Sequence, residues 1–254
     1  MCCTFSILYG IASITYSMLL PTYFQTVHGT TATLSGIYYM PMTIVSVIGI
    51  IITGFSITAW GHYAPFMWAG PLIYMVGSVL FYLLEPSSTR AQYLGYQAIT
   101  GLGFGVTIHV SLIAVQVVSL PEDMPTACGT EMLCGQIGGS VGASIAQNLF
   151  LSTLREELKQ IVSPEEAVAF ANGGLESMVE SMKTLEVGIR EQFRQALNNS
   201  VTTAFIVPIV VTALAEVVSW FIERRKLDVS KPDDSSPQQS RDDDVEALEE
   251  KLRD

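Results

Sequence analysis

The chain has 254 residues, 49% of them hydrophobic and 15% charged, with a formal net charge of −11 and a mean hydropathy of +0.40. Soluble domains carry about 25% charged residues, whereas through residue 151 this chain has only Glu85, Arg90, Glu122, Asp123 and Glu131, so lipid rather than water must be the solvent there. No basic patch exists to bind nucleic acid, and Cys2, Cys3, Cys128 and Cys134 lack the spacing of a metal site or a disulfide framework.

Crossing the hydrocarbon core as a helix takes about 20 mostly apolar residues. Windows at 2–24, 34–57, 65–84, 91–120, 126–151 and 201–222 meet that length. The first is no signal peptide: it lacks a basic start, is too long, and ends in Pro21-Thr22-Tyr23. Breaker-rich or polar turns at 25–33, 58–64, 85–90 and 121–125 separate the first five windows. The expected organisation is therefore five spans over 1–151, an outer loop over 152–200, a sixth span over 201–222 and a disordered acidic tail over 223–254. Arg224, Arg225 and Lys226 follow the last span. Basic residues favour the cytoplasmic side, which puts both termini in the cytoplasm and makes the 152–200 loop extracellular.

Within that loop, Ser163-Pro164-Glu165-Glu166 has the form of a helix start and Gly173-Gly174 of a stop. Leu175, Met178, Met182, Leu185, Ile189, Phe193 and Leu197 then recur every three or four residues. That period predicts an amphipathic helix lying on the membrane or capping the bundle. Asn198-Asn199-Ser200 is a glycosylation sequon. It abuts the last span, where a transferase has little room, so the expectation is an unused sequon.

The fifth window is the most informative, because it is polar for a span: Glu131, Gln136, Ser140 and Gln147 sit among Gly129, Gly135, Gly138, Gly139 and Gly142. At 100° per residue, Glu131, Gly135, Gly138 and Gly142 share one face, and Gln136, Ser140 and Gln147 lie nearly opposite. Small residues let helices approach closely in membranes, while polar ones face an interior. One face therefore reads as packing and the other as the wall of a polar path. In the fourth window His109 and Gln116 share a stripe, and Gln97 lies on an adjacent one. Uncharged amides contact an organic substrate without the desolvation cost of a buried charge. Hence Gln97, His109, Gln116, Gln136, Ser140 and Gln147 are the candidate substrate-binding, cavity-lining residues. Glu131 has two readings. It is either a proton-coupling carboxylate inside the membrane or a charge near a helix start, favoured by the dipole and reaching back to the surface. No nucleophile set, metal cluster or phosphate loop accompanies these residues, so neither enzyme chemistry nor a cofactor or metal is expected.

Several strings resemble one family. They are Pro21-Thr22-Tyr23-Phe24-Gln25-Thr26-Val27, Gly61-His62-Tyr63-Ala64-Pro65-Phe66, Pro121-Glu122-Asp123-Met124-Pro125 and, above all, the run from Gln136-Ile137-Gly138-Gly139-Ser140 to Asn148. They resemble the fungal fourteen-span drug:proton antiporters of the major facilitator superfamily, which include toxin and secondary-metabolite efflux pumps. The resemblance runs from about Ile7 to Arg225 and covers only the six C-terminal spans. It implies an all-α membrane protein, a six-helix transmembrane bundle equivalent to one half of a major facilitator fold. The first, second, fourth and fifth helices would line a cavity and the third and sixth would be peripheral. It also implies residence in the plasma membrane and proton-driven export of a small organic compound by alternating access. The antiporter glycine motif and most coupling acids of the family's first half have no counterpart, the charged loop of the pattern is reduced to Ala59-Trp60-Gly61-His62, and Glu131 stands where the pattern is apolar. The alternative is a truncated, non-transporting remnant, or a partner subunit that joins a second half or a second copy of itself.

Overall fold

The computed structural model describes residues 1–163, 170, 173 and 187–221. The expected helix start at 163–166, the stop at 173–174, most of the amphipathic stripe and the tail at 223–254 thus lie wholly or mainly outside the described residues.

Among the described residues the elements are helices: α1 (Cys2–Thr26), α2 (Ala32–Trp60), α3 (Ala64–Tyr82), α4 (Arg90–Ile108), α5 (Val110–Val118), α6 (Met124–Leu158), α7 (Val187–Ala204) and α8 (Ile206–Trp220). Their boundaries follow from local chemistry. The Leu34 N–H donates to the Thr31 hydroxyl at 3.3 Å and starts α2. Gly61 ends it in the left-handed conformation, φ 66°, which glycine adopts without a Cβ penalty. The Thr89 N–H donates to Gln92 Oε1 at 2.7 Å and opens α4. Pro65 and Pro125 sit in the first turns of α3 and α6, where a missing N–H costs nothing.

Two spans are broken helices. The fourth passes from α4 to α5 at His109, just past Gly101, Gly103 and Gly105 and a Thr107 hydroxyl that donates back to the Gly103 carbonyl at 2.8 Å; such back-bonding bends helices. The last passes from α7 to α8 at Phe205, three residues before Pro208. Helix therefore runs straight across residue 200, where loop was expected to give way to span. Arg194 and Asn198, on the polar side of that helix, are held by the carbonyls of Pro86 and Leu84 at 2.6 and 3.2 Å.

Cys2–Thr26, Ala32–Trp60, Ala64–Tyr82, Arg90–Val118 and Gly188–Trp220 are long and apolar enough to cross a membrane. The sixth crossing is α6, whose 35 residues extend about 50 Å at 1.5 Å per residue. That exceeds a hydrocarbon core of about 30 Å. Its polar residues lower its hydropathy, yet Gly138, Gly142, Ala146, Phe150, Leu154 and Leu158 are all buried. The molecule is an all-α, multi-pass membrane protein.

Helix α1 is the centre of the bundle, packing on α6, α8 and α2, while α4 is wedged between α2 and α3. An aromatic core joins them. Tyr16 stacks on Phe205 with centroids 5.2 Å apart and meets Tyr74 edge-on at 5.7 Å. The Tyr9 hydroxyl donates to the Phe104 carbonyl at 2.8 Å, tying α1 to α4. Helices α3 and α8 lean on each other and cover α4 and α1 from one side. On the outside of α2, Ile44, Val47, Ile48, Ile51, Ile52 and Phe55 are exposed, an apolar surface suited to lipid or to another helix layer.

Candidate functional site

A groove of about 370 Å³ runs between α1, the α4–α5 break and the start of α6. A second hollow of about 280 Å³ adjoins it and shares Ser13, Ile14 and Phe104 as a common wall. On α1, Ser6, Tyr9, Gly10 and Ser13 all face the groove, as a three- and four-residue spacing requires. Small residues let the walls approach. A Cβ on Gly10 would run into the Gly135 carbonyl and would lie 3.0 Å from Gly139 N. On α6, a Cβ on Gly142 would lie 2.6 Å from Ile11 Cα, and one on Gly138 would strike Ile7.

Three polar groups meet at one end of it. Ser6 donates to Glu131 Oε1 at 2.5 Å, and the Ser6 and Ser111 hydroxyls lie 3.0 Å apart. Ser6 has one proton, and it goes to the carboxylate, so Ser111 must donate to Ser6. The result is a directed chain from α5 through α1 to α6. All three residues are buried, Glu131 at 7% exposure. No basic side chain among the described residues pairs with that carboxylate. An ionisable group inside a membrane span without a counter-ion can exchange a proton or face a cation. Around it Phe5, Phe104 and Met132 supply apolar wall, and His109 and Gln136 supply polar groups. The arrangement can hold an amphiphilic organic molecule against one carboxyl group.

No family model matches the chain. It is 33% identical over 231 residues to the MFS-type transporter ltbE of Aspergillus luteorubrus, covering 90% of this chain and 41% of that protein. It is 31% identical over 236 residues to the aspyridones efflux protein of Neocamarosporium betae, covering 91% of this chain and 41% of the relative. Its fold superposes on the E. coli fucose:proton symporter FucP with a TM-score of 0.65 at 14% identity, over 92% of this chain and 52% of FucP. The chain belongs to the major facilitator superfamily. Its bundle is equivalent to one six-helix half of that fold, and the chain spans about two-fifths of the length of these curated relatives. A bacterial homologue of the human lysosomal transporter Spinster, in an inward-facing occupied state, gives 0.61 at 14% identity over 87% of this chain. The curated relatives are named as transporters and efflux proteins, not as enzymes.

Within this major facilitator half, the groove brings together His109, Glu131 and Gln136 among the residues that the sequence singled out. Ser140, Gln147 and Gln116 are exposed and do not line the groove. Ser140 instead caps a local carbonyl, donating to Gln136 O at 3.0 Å. Gln97 is fully buried, and neither atom of its amide has a partner among the described residues. Gly135 borders the groove, whereas Gly138 and Gly142 face α1. Asn198 is buried at 4% exposure with its amide nitrogen on the Leu84 carbonyl, a position that leaves no space for a glycan. Sequence reasoning missed Ser6 and Ser111. The signal for Ser6 was present: Ser6, Gly10, Ser13 and Ser17 form a small polar stripe along α1.

Proposed function

We propose that this chain forms the C-terminal half of an efflux transporter that exports a small organic compound, such as a fungal secondary metabolite, by alternating access. The export is proton-driven, with Glu131 as the group that exchanges the proton. The observation that carries this reading is the groove itself: a buried carboxylate with no basic partner among the described residues, hydrogen-bonded in line with two hydroxyls and facing a hollow with aromatic walls. The names of the relatives support export as the direction. In this reading the end holding Glu131 faces the cytoplasm, the membrane is the plasma membrane, and Gln136 contacts the substrate.

A second reading, a partner subunit that is inert alone, is favoured by the exposed apolar side of α2. Cells expressing this 254-residue chain, with surface expression checked, would be loaded with fluorescent hydrophobic compounds. Energy-dependent export that is lost in Gln136→Ala supports the first reading. A well-expressed chain without export, which gains it on co-expression with the remaining spans of a relative, supports the second.

A further inference from the structure

The bundle has a larger cavity at its other end, about 750 Å³, between α7, the end of α6 and the turn at 83–89. It lies some 26 residues along α6 from Glu131, about 39 Å at 1.5 Å per residue, so it is separate from the groove. Three carboxylates, Glu85, Glu157 and Glu191, stand in its lining with one cation, Arg194. That cation is already committed: it donates to the Pro86 carbonyl at 2.6 Å and lies 3.7 Å from Glu191. Among the described residues Glu85 and Glu157 have neutral donors, Ser87 at 3.2 Å and Asn199 at 3.5 Å.

The second observation is at the most deeply buried polar residue of the lining. Asn198 is 4% exposed; its nitrogen donates to Leu84 O, but its Oδ1 accepts from nothing among the described residues. A buried carbonyl oxygen without a donor is costly and uncommon. A cavity with excess carboxylate and an idle acceptor lacks one thing, a cation that carries N–H groups. A metal ion does not fit, because among the described residues no three His, Cys, Asp or Glu side chains converge. At the mouth, Tyr82 and Leu83 are exposed and offer apolar surface for whatever the ammonium is attached to.

We propose that this cavity is a second ligand site, one that takes an organic ammonium with its N–H groups on Asn198 Oδ1 and the Glu85 and Glu157 carboxylates. The ammonium comes either from the ethanolamine headgroup of a membrane lipid, whose chains would run along Tyr82 and Leu83, or from a soluble amine. The site stands independently of transport in the groove.

The test uses the purified chain in phosphatidylcholine nanodiscs and two matched probes, benzylammonium and benzyltrimethylammonium, which differ in N–H donors. Calorimetry should show saturable binding of benzylammonium, at least about tenfold tighter than its trimethyl analogue. The double variant Glu85→Gln/Glu157→Gln should weaken benzylammonium about tenfold, the worth of two partly exposed charge pairs, with its melting temperature unchanged. Displacement by discs containing phosphatidylethanolamine identifies the lipid source, and persistence of binding in them identifies the soluble one. Absence of saturable binding, equal affinity for the two probes, or unchanged affinity in the double variant overturns the proposal.

Discussion

Helices α4 and α6 are both rich in glycine and small polar residues, yet the bundle uses them differently. In α4 three of the glycines, Gly101, Gly103 and Gly105, are consumed on two sides. A Cβ on Gly103 would lie 2.6 Å from Tyr74 Cα of α3, while Gly101 and Gly105 press against the carbonyls of Met42 and Ser46 on α2. In α6 the tight approach is confined to α1, through Gly138 and Gly142, and Gln136, Ser140 and Gln147 stay exposed. Glycine in a span therefore marks close packing in both, but only α6 keeps one long side free with polar groups exposed along it.

That contrast predicts a graded set of effects. The largest is in α4: Gly103→Leu should cost about 3 kcal/mol or more by overpacking, seen as loss of monodisperse folded protein in detergent. Gly139→Ala in α6 should be nearly silent, since its nearest neighbours, Gly10 O and Ile14 Cβ, are 3.9 Å from the added Cβ. Equal damage at the two sites would erase the distinction. Next come the two polar groups enclosed without full pairing. Gln97→Met should raise stability by about 1 kcal/mol, because an unpaired amide gives way to an isosteric apolar chain; a drop in melting temperature would show that Gln97 has a partner. Glu131→Gln should also keep or raise stability, since the amide still accepts from Ser6 while the cost of burying a charge is gone. Export by this variant should lose its dependence on the proton gradient. Gln136→Ala should shift stability by no more than about 0.5 kcal/mol and still abolish export; destabilisation instead would make Gln136 a packing residue.

The smallest effect lies at the opposite end. His28, in the turn after α1, rests against Tyr23, Phe24 and Tyr93. Burial, followed by the Arg194 and Arg90 charges, holds its pKa below the usual 6.5. The unfolded chain thus binds a proton more readily than the fold does. The contribution is fully present above about pH 6.5 and is lost as the pH falls through the folded value. A melting series across that range should slope downward on acidification for the native chain and more weakly for His28→Phe.

Much of the fold was legible because the bilayer makes spans long and apolar, and the turns between them carry Gly, Pro and polar residues. The two faces of α6 were legible too, because small and polar residues separate at 100° per residue. What the sequence hid were features that depend on contacts distant in sequence. The burial of Gln97 is decided by which helices flank α4, and periodicity alone places it beside residues that line a cavity. The pairing of Ser6 with Glu131 spans 125 residues, and the polar stripe that holds Ser6 on α1 carries no mark of which helix it meets. Arg194 and Asn198 likewise find their partners, the carbonyls of Pro86 and Leu84, more than 100 residues away.

If the groove beside α6 is a water-accessible path for substrate, a thiol at position 136 meets reagents dissolved in water. With the four native cysteines replaced, Gln136→Cys would be compared with Val76→Cys on the exposed side of α3. Both would be exposed to a small, membrane-impermeant maleimide with and without a transported compound. Expected are rapid labelling at Gln136→Cys, slowed by the compound, and none at Val76→Cys. Equal inertness of the two positions, or labelling at Gln136→Cys that no compound slows, would contradict it.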